Sequence, residues 1–360
     1  MREVKNRSFF EHSVINKMPE NEHEQVVFCE DNKTGLMAII AIHNTVLGPS
    51  LGGARMWHYK NGLEATRDAL RLSKAMTYKA SVAGLNLGGG KAVIIDNSIK
   101  NKTPELFRRF GKFIESLNGK YITAEDVGTS SNDMKYIKME TNHVTCLPES
   151  TGGGGDPSSK TAYGVYMGMK ACAKLCFGNK DLDSKIIVVQ GAGHVGTHLL
   201  EWLVKENAKV YISDIDEEKV KEAVKKYNVE SVGVNEVYDM EMDIYSPCAL
   251  GATVNNNTLN RLKCSVIAGG ANNQLADENV DGKMIMEKGI IYAPDFVINA
   301  GGLINCYSEV IGYNREYVLN KVENIYFTVL DILKKSKEEN TPADLIAKRI
   351  AEQRINEAIK

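Results

Sequence analysis

Between Met76 and Ile95 two lysines stand where their ordinary behaviour could change: Met76-Thr77-Tyr78-Lys79, then Gly84-Leu85-Asn86-Leu87-Gly88-Gly89-Gly90-Lys91-Ala92-Val93-Ile94-Ile95. Three consecutive glycines leave no side chain between the backbone and whatever lies against it, so a small ligand can come close. A lysine held against apolar walls and near a second cation loses its proton more readily than one in water, which makes an inert ammonium a base near neutral pH. Lys91 is the candidate base and Lys79 the candidate second cation. The bland alternative for this stretch alone is a surface turn followed by an edge strand carrying a solvated lysine. Downstream, Tyr121-Ile122-Thr123-Ala124-Glu125-Asp126-Val127-Gly128 reads as a buried strand that delivers two carboxylates into a loop, where reactive groups are commonly displayed.

A second constellation would bind rather than react. Gly191-Ala192-Gly193-His194-Val195-Gly196 follows the apolar run Ile186 to Gln190 and opens a helical pattern through Leu199, Leu200 and Leu203. Such a glycine motif alone is weak evidence, but here it has a strand before it, a helix after it, and an acidic residue, Asp214, about twenty residues on at the end of the next strand. Gly191 would allow the tight turn, Gly193 would let backbone approach a pyrophosphate, and Gly196 would permit close helix packing, with the helix N-terminus offering unpaired N–H groups to the anion. Asp214 would accept hydrogen bonds from the adenosine ribose hydroxyls. A carboxylate there repels a 2′-phosphate, so the expected cofactor is NAD rather than NADP.

The elements that must position these groups follow from periodicity. Gln25 to Cys29 and Leu36 to Ile42 are apolar runs separated by Asp31-Asn32-Lys33-Thr34-Gly35, hairpin punctuation. Leu47 to Arg55, with three glycines and a proline, is expected to break regular structure. Leu63 to Ala80 and Leu106 to Leu117 have helical spacing, which puts Lys79 near the end of the first of these helices. Residues 151–158 (Thr-Gly-Gly-Gly-Gly-Asp-Pro-Ser) form the candidate hinge, followed by a helix from Ala162 to Phe177. Strands are then expected at Lys185 to Gln190, Lys209 to Ser213, Cys264 to Ala268 and Ile290 to Ala293, interleaved with helices, which argues for a parallel sheet covered on both faces. The tail from Asn320 on is helical, interrupted at Thr341-Pro342. The first twenty residues read as a loosely ordered lead-in.

Composition narrows the function classes. A chain of 360 residues most often makes two domains with a cleft between them. A formal net charge of -2 gives no nucleic-acid footprint and no basic membrane anchor. Apolar runs are far shorter than a bilayer span and the N-terminus has no signal-peptide core, so no membrane partner and a cytoplasmic location are expected. Seven scattered cysteines do not form a disulfide framework, and neither they nor the histidines show ligand spacing, so no metal site is expected.

The blocks LGPSLGGARMW (47–57), RLSKAMTYK (71–79), GLNLGGGKAVII (84–95), NGKYITAEDVGTS (118–130), DIYSPCALGATVN (243–255), AGGANNQLAD (268–277) and YAPDFVINAGGLIN (292–305), with the glycine motif, resemble the glutamate, leucine, phenylalanine and valine dehydrogenase family, most closely its leucine dehydrogenase branch. The resemblance spans the chain after about Glu24. It implies an α/β protein with an N-terminal substrate-binding and oligomerisation domain over 1–150, joined by a C-terminal helix at about 340–360, and a Rossmann-type, doubly wound NAD-binding domain over 151–340, with the active-site cleft between them. It implies reversible oxidative deamination of an aliphatic branched-chain L-amino acid to its 2-oxo acid and ammonium with NAD, by a homo-oligomer between dimer and octamer. Lys91 would then be the base, Asp126 would assist proton transfer around the amine and the attacking water, and Lys79 with backbone at Gly52 would grip the substrate carboxylate. Glu125, expected on the other face of its strand, is read as structural.

Asn272 and Asn299 match positions near the nicotinamide, and Cys248 and Ala249 match the segment beside the adenosine ribose and linker; core packing is the blander account of all four. In the substrate pocket the matching positions are Leu51, Ala124, Leu303 and Cys306. Apolar Leu51 stands where a glutamate enzyme needs a cation, so an acidic substrate would keep an unpaired buried charge. Ala124 narrows the pocket against a phenyl ring, whereas Leu303 departs from the valine usual in leucine enzymes. An aromatic substrate is therefore the alternative, and an inactive NAD-binding paralogue the remote one. Ser159-Lys160 also departs from the family's hinge segment.

Overall fold

The computed structural model describes residues 22–95, 102–249 and 251–359; the expected lead-in over the first twenty residues lies outside them. The chain divides into two compact units. One holds the chain up to Asp156 together with Glu309–Tyr313 and the segment from Arg354, the other Pro157–Ser308 and Asn314–Gln353. Among the described residues no helix is long and apolar enough to cross a membrane, and all seven cysteines are free.

The first unit is built on strands β1 (Gln25–Asp31), β2 (Leu36–Asn44), β3 (Ser50–Trp57), β4 (Gly88–Ile95) and β5 (Tyr121–Glu125), in the order β1-β2-β4-β3-β5. The first two pair antiparallel; between them the Asp31 carboxylate accepts from both the N–H and the hydroxyl of Thr34, a side-chain turn that closes the hairpin. Helix α1 (Gly62–Val82) starts where the Asn61 side chain accepts from the Glu64 N–H, and α2 (Pro104–Glu115) where Thr103 caps with Pro104 in its first turn. α3 (Ser131–Lys138) follows β5. Ala65, Ala69 and Leu70 of α1 pack on Ile39, Ala41 and Val93 of the sheet; each larger side chain buried there contributes about 1.5–3 kcal/mol relative to exposure. On the last helix Arg354 donates to the carbonyls of Leu85 (2.7 Å) and Ser81 (3.3 Å) and to Asn86 Oδ1 (2.9 Å), within this same unit.

Two expectations fail here, for one reason. The stretch Leu47 to Arg55 is not an irregular loop: from Ser50 it is strand β3, parallel to both β4 and β5. Its glycines serve close strand packing, since a Cβ on Gly52 would fall 1.7 Å from the Gly90 carbonyl oxygen and one on Gly53 would fall 2.5 Å from that of Glu125. Likewise Gly88-Gly89-Gly90 opens the central strand of the sheet, which excludes the turn-and-edge-strand alternative. A Cβ on Gly89 would lie 2.2 Å from the Thr77 nitrogen, and one on Gly90 would lie 2.7 Å from the Tyr121 ring. At Gly89 and Gly90 the protein's own helix and ring make the close approach that glycine permits. It draws the end of α1, which carries Lys79, against the strand that carries Lys91.

The second unit contains α4 (Ser158–Phe177), β6 (Ile186–Gln190), α5 (His194–Lys205), β7 (Lys209–Ser213), α6 (Glu217–Tyr227), β8 (Glu230–Ser231), β9 (Ile244–Pro247), β10 (Val266–Ile267), α7 (Glu278–Glu287), β11 (Ile291–Tyr292), α8 (Gly301–Val310), α9 (Ile325–Glu339) and α10 (Ala343–Ile359), α8 and α10 running on into the first unit. Its sheet, β11-β10-β9-β6-β7-β8, is parallel throughout. The two late strands are shorter than their apolar runs. α9 ends on Asn340 in the left-handed conformation, just before the Thr341-Pro342 break. A core of Val188, Tyr245, Ile267, Leu259, Leu275 and Ile285 lies under the sheet.

One buried carboxylate in this unit gives a stability test. Asp344, in the first turn of α10, is 4 % exposed and faces Gly282, whose added Cβ would sit 2.6 Å from Asp344 Oδ1. Burial pushes its carboxyl from 3.8 up to about 6, against the pull of Lys348. A folded-state value above the unfolded one means that the carboxyl's contribution is full below about pH 4 and is lost as pH rises through about 6. Asp344→Asn is expected to raise unfolding stability near pH 8 by roughly 1–3 kcal/mol and to change it little near pH 4. Urea titrations at the two pH values check this, and equal effects at both would sink it.

Candidate active site

Lys91 lies within β4, flanked by β2 and β3, and is 5 % exposed. Its Nζ is 3.0 Å from Asp126 Oδ2. Asp126 stands one residue past the end of β5, in a turn pinned to β3. The Asp126 N–H donates to Thr129 Oγ1, the Thr129 N–H donates to the Asp126 carbonyl, and the Thr129 hydroxyl donates to the Ala54 carbonyl, each at 2.9 Å. Gly128 turns that loop at φ +81, so close to β3 that a Cβ would lie 2.0 Å from the Met56 carbonyl oxygen. The carboxylate is thus placed by backbone.

The same Asp126 Oδ2 also accepts from Arg55 Nε at 3.0 Å. Arg55 Nη1 in turn donates to Asp68 Oδ2 at 3.0 Å, where the Tyr59 hydroxyl also donates at 2.7 Å, and Arg71 Nη2 reaches Asp68 Oδ1 at 3.1 Å. Burial lowers the Lys91 ammonium from its ordinary range; Asp126 opposes that and Arg55 adds to it. For Asp126 burial pushes upward, but Lys91 and then Arg55 outweigh it and hold the carboxyl below the usual range. Arg55 is thus a cation beside Lys91 that the sequence reading did not name. Lys79 itself is half-buried in the last turn of α1. Glu125 stands outside this network, its carboxyl raised to about 7 by burial and by the charge of Asp156.

Leu51 and Gly52 on β3 and Ala124 on β5 lie beside this group, with Gly52 opposite Thr123 and Gly53 opposite Ala124. Leu51 is 1 % and Ala124 4 % exposed. The Gly52 carbonyl accepts from the Tyr121 hydroxyl at 2.5 Å. Leu303 and Cys306 belong to the other unit, buried on α8.

In the second unit the three glycines of the motif do three different things. Gly191 takes φ +118, and a Cβ there would lie 2.7 Å from the Ala249 nitrogen and the Cys248 carbonyl carbon. Gly196 presses on the loop itself, with a Cβ 1.9 Å from the Gly191 carbonyl oxygen. Gly193 caps α5, with nothing within 4 Å of its Cβ position. Open space therefore faces the first turn of α5, which begins at His194. A side chain at Gly193 would fill that space, so the cradle fits a dinucleotide's pyrophosphate. Asp214 does more than the sequence indicates: Oδ2 accepts from the Ala192 N–H (2.7 Å) and Oδ1 from the Asp216 N–H (2.9 Å), tying the loop to the exit of β7.

The remaining candidates adjoin this cradle. The Gly270 N–H donates to Cys248 Sγ at 3.4 Å, and a Cβ on Gly270 would lie 2.6 Å from Val195. Asn299 Nδ2 donates to Asn272 Oδ1 at 2.8 Å. The sequence reading missed Arg55, Tyr59 and Asp68. Its available signal was an arginine inside a run of glycine and apolar strand residues, Gly52-Gly53-Ala54-Arg55-Met56, which can be buried only with an acid to meet it.

Comparison with known proteins agrees with both halves of this picture. A family model described as Glu/Leu/Phe/Val dehydrogenase, dimerisation domain, matches residues 23–143, and one described as Glutamate/Leucine/Phenylalanine/Valine dehydrogenase matches residues 212–360. The chain is 52 % identical to a leucine dehydrogenase of Thermoactinomyces intermedius, over 95 % of this chain and 93 % of that protein. It is likewise 52 % identical to one of Bacillus subtilis strain 168, over 94 % and 93 %. The crystal structure of L-tryptophan dehydrogenase from Nostoc punctiforme superimposes with a TM-score of 0.82 at 43 % identity, covering 96 % of this chain and 99 % of that one. With both domains matched and relatives this similar along nearly their whole length, the chain belongs to the glutamate, leucine, phenylalanine and valine dehydrogenase family.

Proposed function

We propose that this protein catalyses the reversible NAD-dependent oxidative deamination of branched-chain L-amino acids, leucine foremost with valine and isoleucine, to 2-oxo acids and ammonium, as a cytosolic homo-oligomer. The observation that carries the reading is the buried Lys91–Asp126 pair, 3.0 Å apart on the sheet of the first unit. That unit would bind substrate and the second NAD. When bound, NAD accepts a hydride from the substrate Cα. Lys79 and the Gly52 backbone hold the substrate carboxylate. Lys91, whose burial favours the neutral amine, takes a proton from the α-ammonium so that nitrogen's electron pair can form the C=N bond as the hydride leaves. Asp126 orients the water that then adds to this bond and takes one of its protons, that proton passes to nitrogen, and the carbinol hydroxyl gives its remaining proton back to Asp126 as the C=O bond forms and ammonia departs. On the cofactor side, Gly191 to Gly196 hold the pyrophosphate and Asp214 the adenosine ribose, with Cys248 and Ala249 beside them and Asn272 and Asn299 near the nicotinamide.

Leu51 and Ala124, both 4 % exposed or less, would line the side-chain pocket on the first unit. They carry no charge to meet a distal carboxylate, so glutamate is excluded as a good substrate. The test is NADH production at alkaline pH across a panel of L-amino acids, with glutamate as the control. Expected is a kcat/KM for leucine, valine or isoleucine about tenfold or more above phenylalanine, the discrimination such a pocket can provide, with glutamate at background. A faster reaction with phenylalanine or tryptophan would overturn the aliphatic assignment.

A further inference from the structure

We propose that Arg55 is the positioning residue of this site: clamped between Asp68 and Asp126, it fixes the carboxylate that meets Lys91 and places a second cation next to the lysine amine. The inference rests on the functional reading above, in which Lys91 is the base, and it adds a residue that acts through Asp126. Three observations carry it. Arg55 Nε and Lys91 Nζ share one oxygen, Asp126 Oδ2, each at 3.0 Å, so the two cations lie within about 6 Å of one another. Arg55 cannot swing away, because its Nη1 is held at 3.0 Å by Asp68 Oδ2, and that carboxylate is itself fixed by the Tyr59 hydroxyl on Oδ2 at 2.7 Å and by Arg71 on Oδ1 at 3.1 Å. Arg55, Asp68 and Asp126 are all mostly buried, their side chains between 15 and 19 % exposed, so little water screens the charges from one another.

The arrangement explains how a lysine can stay basic beside a carboxylate. An ion pair with Asp126 alone would stabilise the ammonium and hold the proton on Lys91. Arg55 takes up part of the same oxygen's charge and repels the ammonium directly, so both effects favour the neutral amine. Arginine suits this position because it keeps its charge at any working pH, and its planar fork can address two carboxylates at once.

The test compares Arg55→Met and Arg55→Lys with wild type by two readouts. The first is the pH dependence of kcat/KM for leucine, whose acid limb follows loss of the Lys91 proton. The second needs no turnover: the pH dependence of Lys91 acetylation by acetic anhydride in the unliganded protein, read by mass spectrometry. Arg55→Met is expected to move both midpoints to higher pH by about one unit and to lower kcat more than it changes KM. Arg55→Lys keeps a cation but not the fork, and is expected to hold the midpoints within a few tenths of a unit while kcat still falls. Midpoints that stay put in Arg55→Met, or that shift equally in both variants, would overturn the role. Should Arg55→Met fail to fold, Arg55→Lys decides alone: midpoints a full unit higher overturn the role, and retained midpoints with lowered kcat support it. A wild type for which none of the amino acids supports NAD reduction sinks the functional reading, whereas the acetylation midpoints still judge Arg55.

Discussion

Lys91→Ala is expected to lower kcat/KM for leucine by roughly 10²- to 10⁴-fold, the range that a well-placed general base contributes, while NAD affinity stays within about twofold of wild type. The separation of the two effects follows from where the residues sit. Lys91 belongs to the five-stranded sheet of the first unit, and the glycine cradle belongs to the six-stranded sheet of the second. Truncation leaves Asp126 paired with Arg55 at 3.0 Å rather than alone as a buried charge, so the fold should persist. Steady-state kinetics and a fluorescence titration with NADH, on protein whose circular dichroism matches wild type, check both parts. Retained turnover would falsify the assignment of Lys91 as base. Loss of cofactor affinity alongside turnover would show instead that the substitution damaged the fold.

The two halves of the molecule were legible in the sequence to different degrees. In the second unit, strands Ile186–Gln190 and Lys209–Ser213 fall where the apolar runs place them, because a strand buried on both faces must be apolar throughout and its ends are marked by turn residues. The glycine motif is equally readable, since each of its glycines answers a steric demand of the local chain. In the first unit the same residue type misleads. Gly52, Gly53, Gly89 and Gly90 suggest irregular backbone, yet all four lie in strands, and the groups that require them are Gly90, Glu125, Thr77 and Tyr121, which come from other strands or from a helix. Those partners are known only once the fold is. The Arg55–Asp68 contact was hidden for a related reason. Asp68 is one of two acids, with Glu64, on a helix that reads as amphipathic, and nothing in its spacing tells which of them faces the sheet.

Gly193 and Gly196, three residues apart at the start of α5, should respond to substitution in opposite ways. Gly193→Val adds a side chain where no atom lies within 4 Å, at a residue whose φ of -77 suits any side chain. Nothing in the fold resists it, so thermal stability should stay within about 2 °C of wild type. The new side chain would nevertheless occupy the space in front of the α5 N-terminus, and the dissociation constant for NADH should rise roughly 10- to 100-fold, about 1.4–2.8 kcal/mol. Gly196→Val meets the reverse situation. Its Cβ would sit 1.9 Å from the Gly191 carbonyl oxygen, a backbone atom that cannot rotate aside. The helix must move off the loop, at a cost of about 1–3 kcal/mol or more, and a unit of this size should lose roughly 2–4 °C in Tm for each of those kcal/mol. Scanning calorimetry and NADH titration of both variants separate the two outcomes. Unchanged NADH affinity in Gly193→Val would mean that the open space at the start of α5 holds no phosphate, and the cofactor assignment would have to leave this loop.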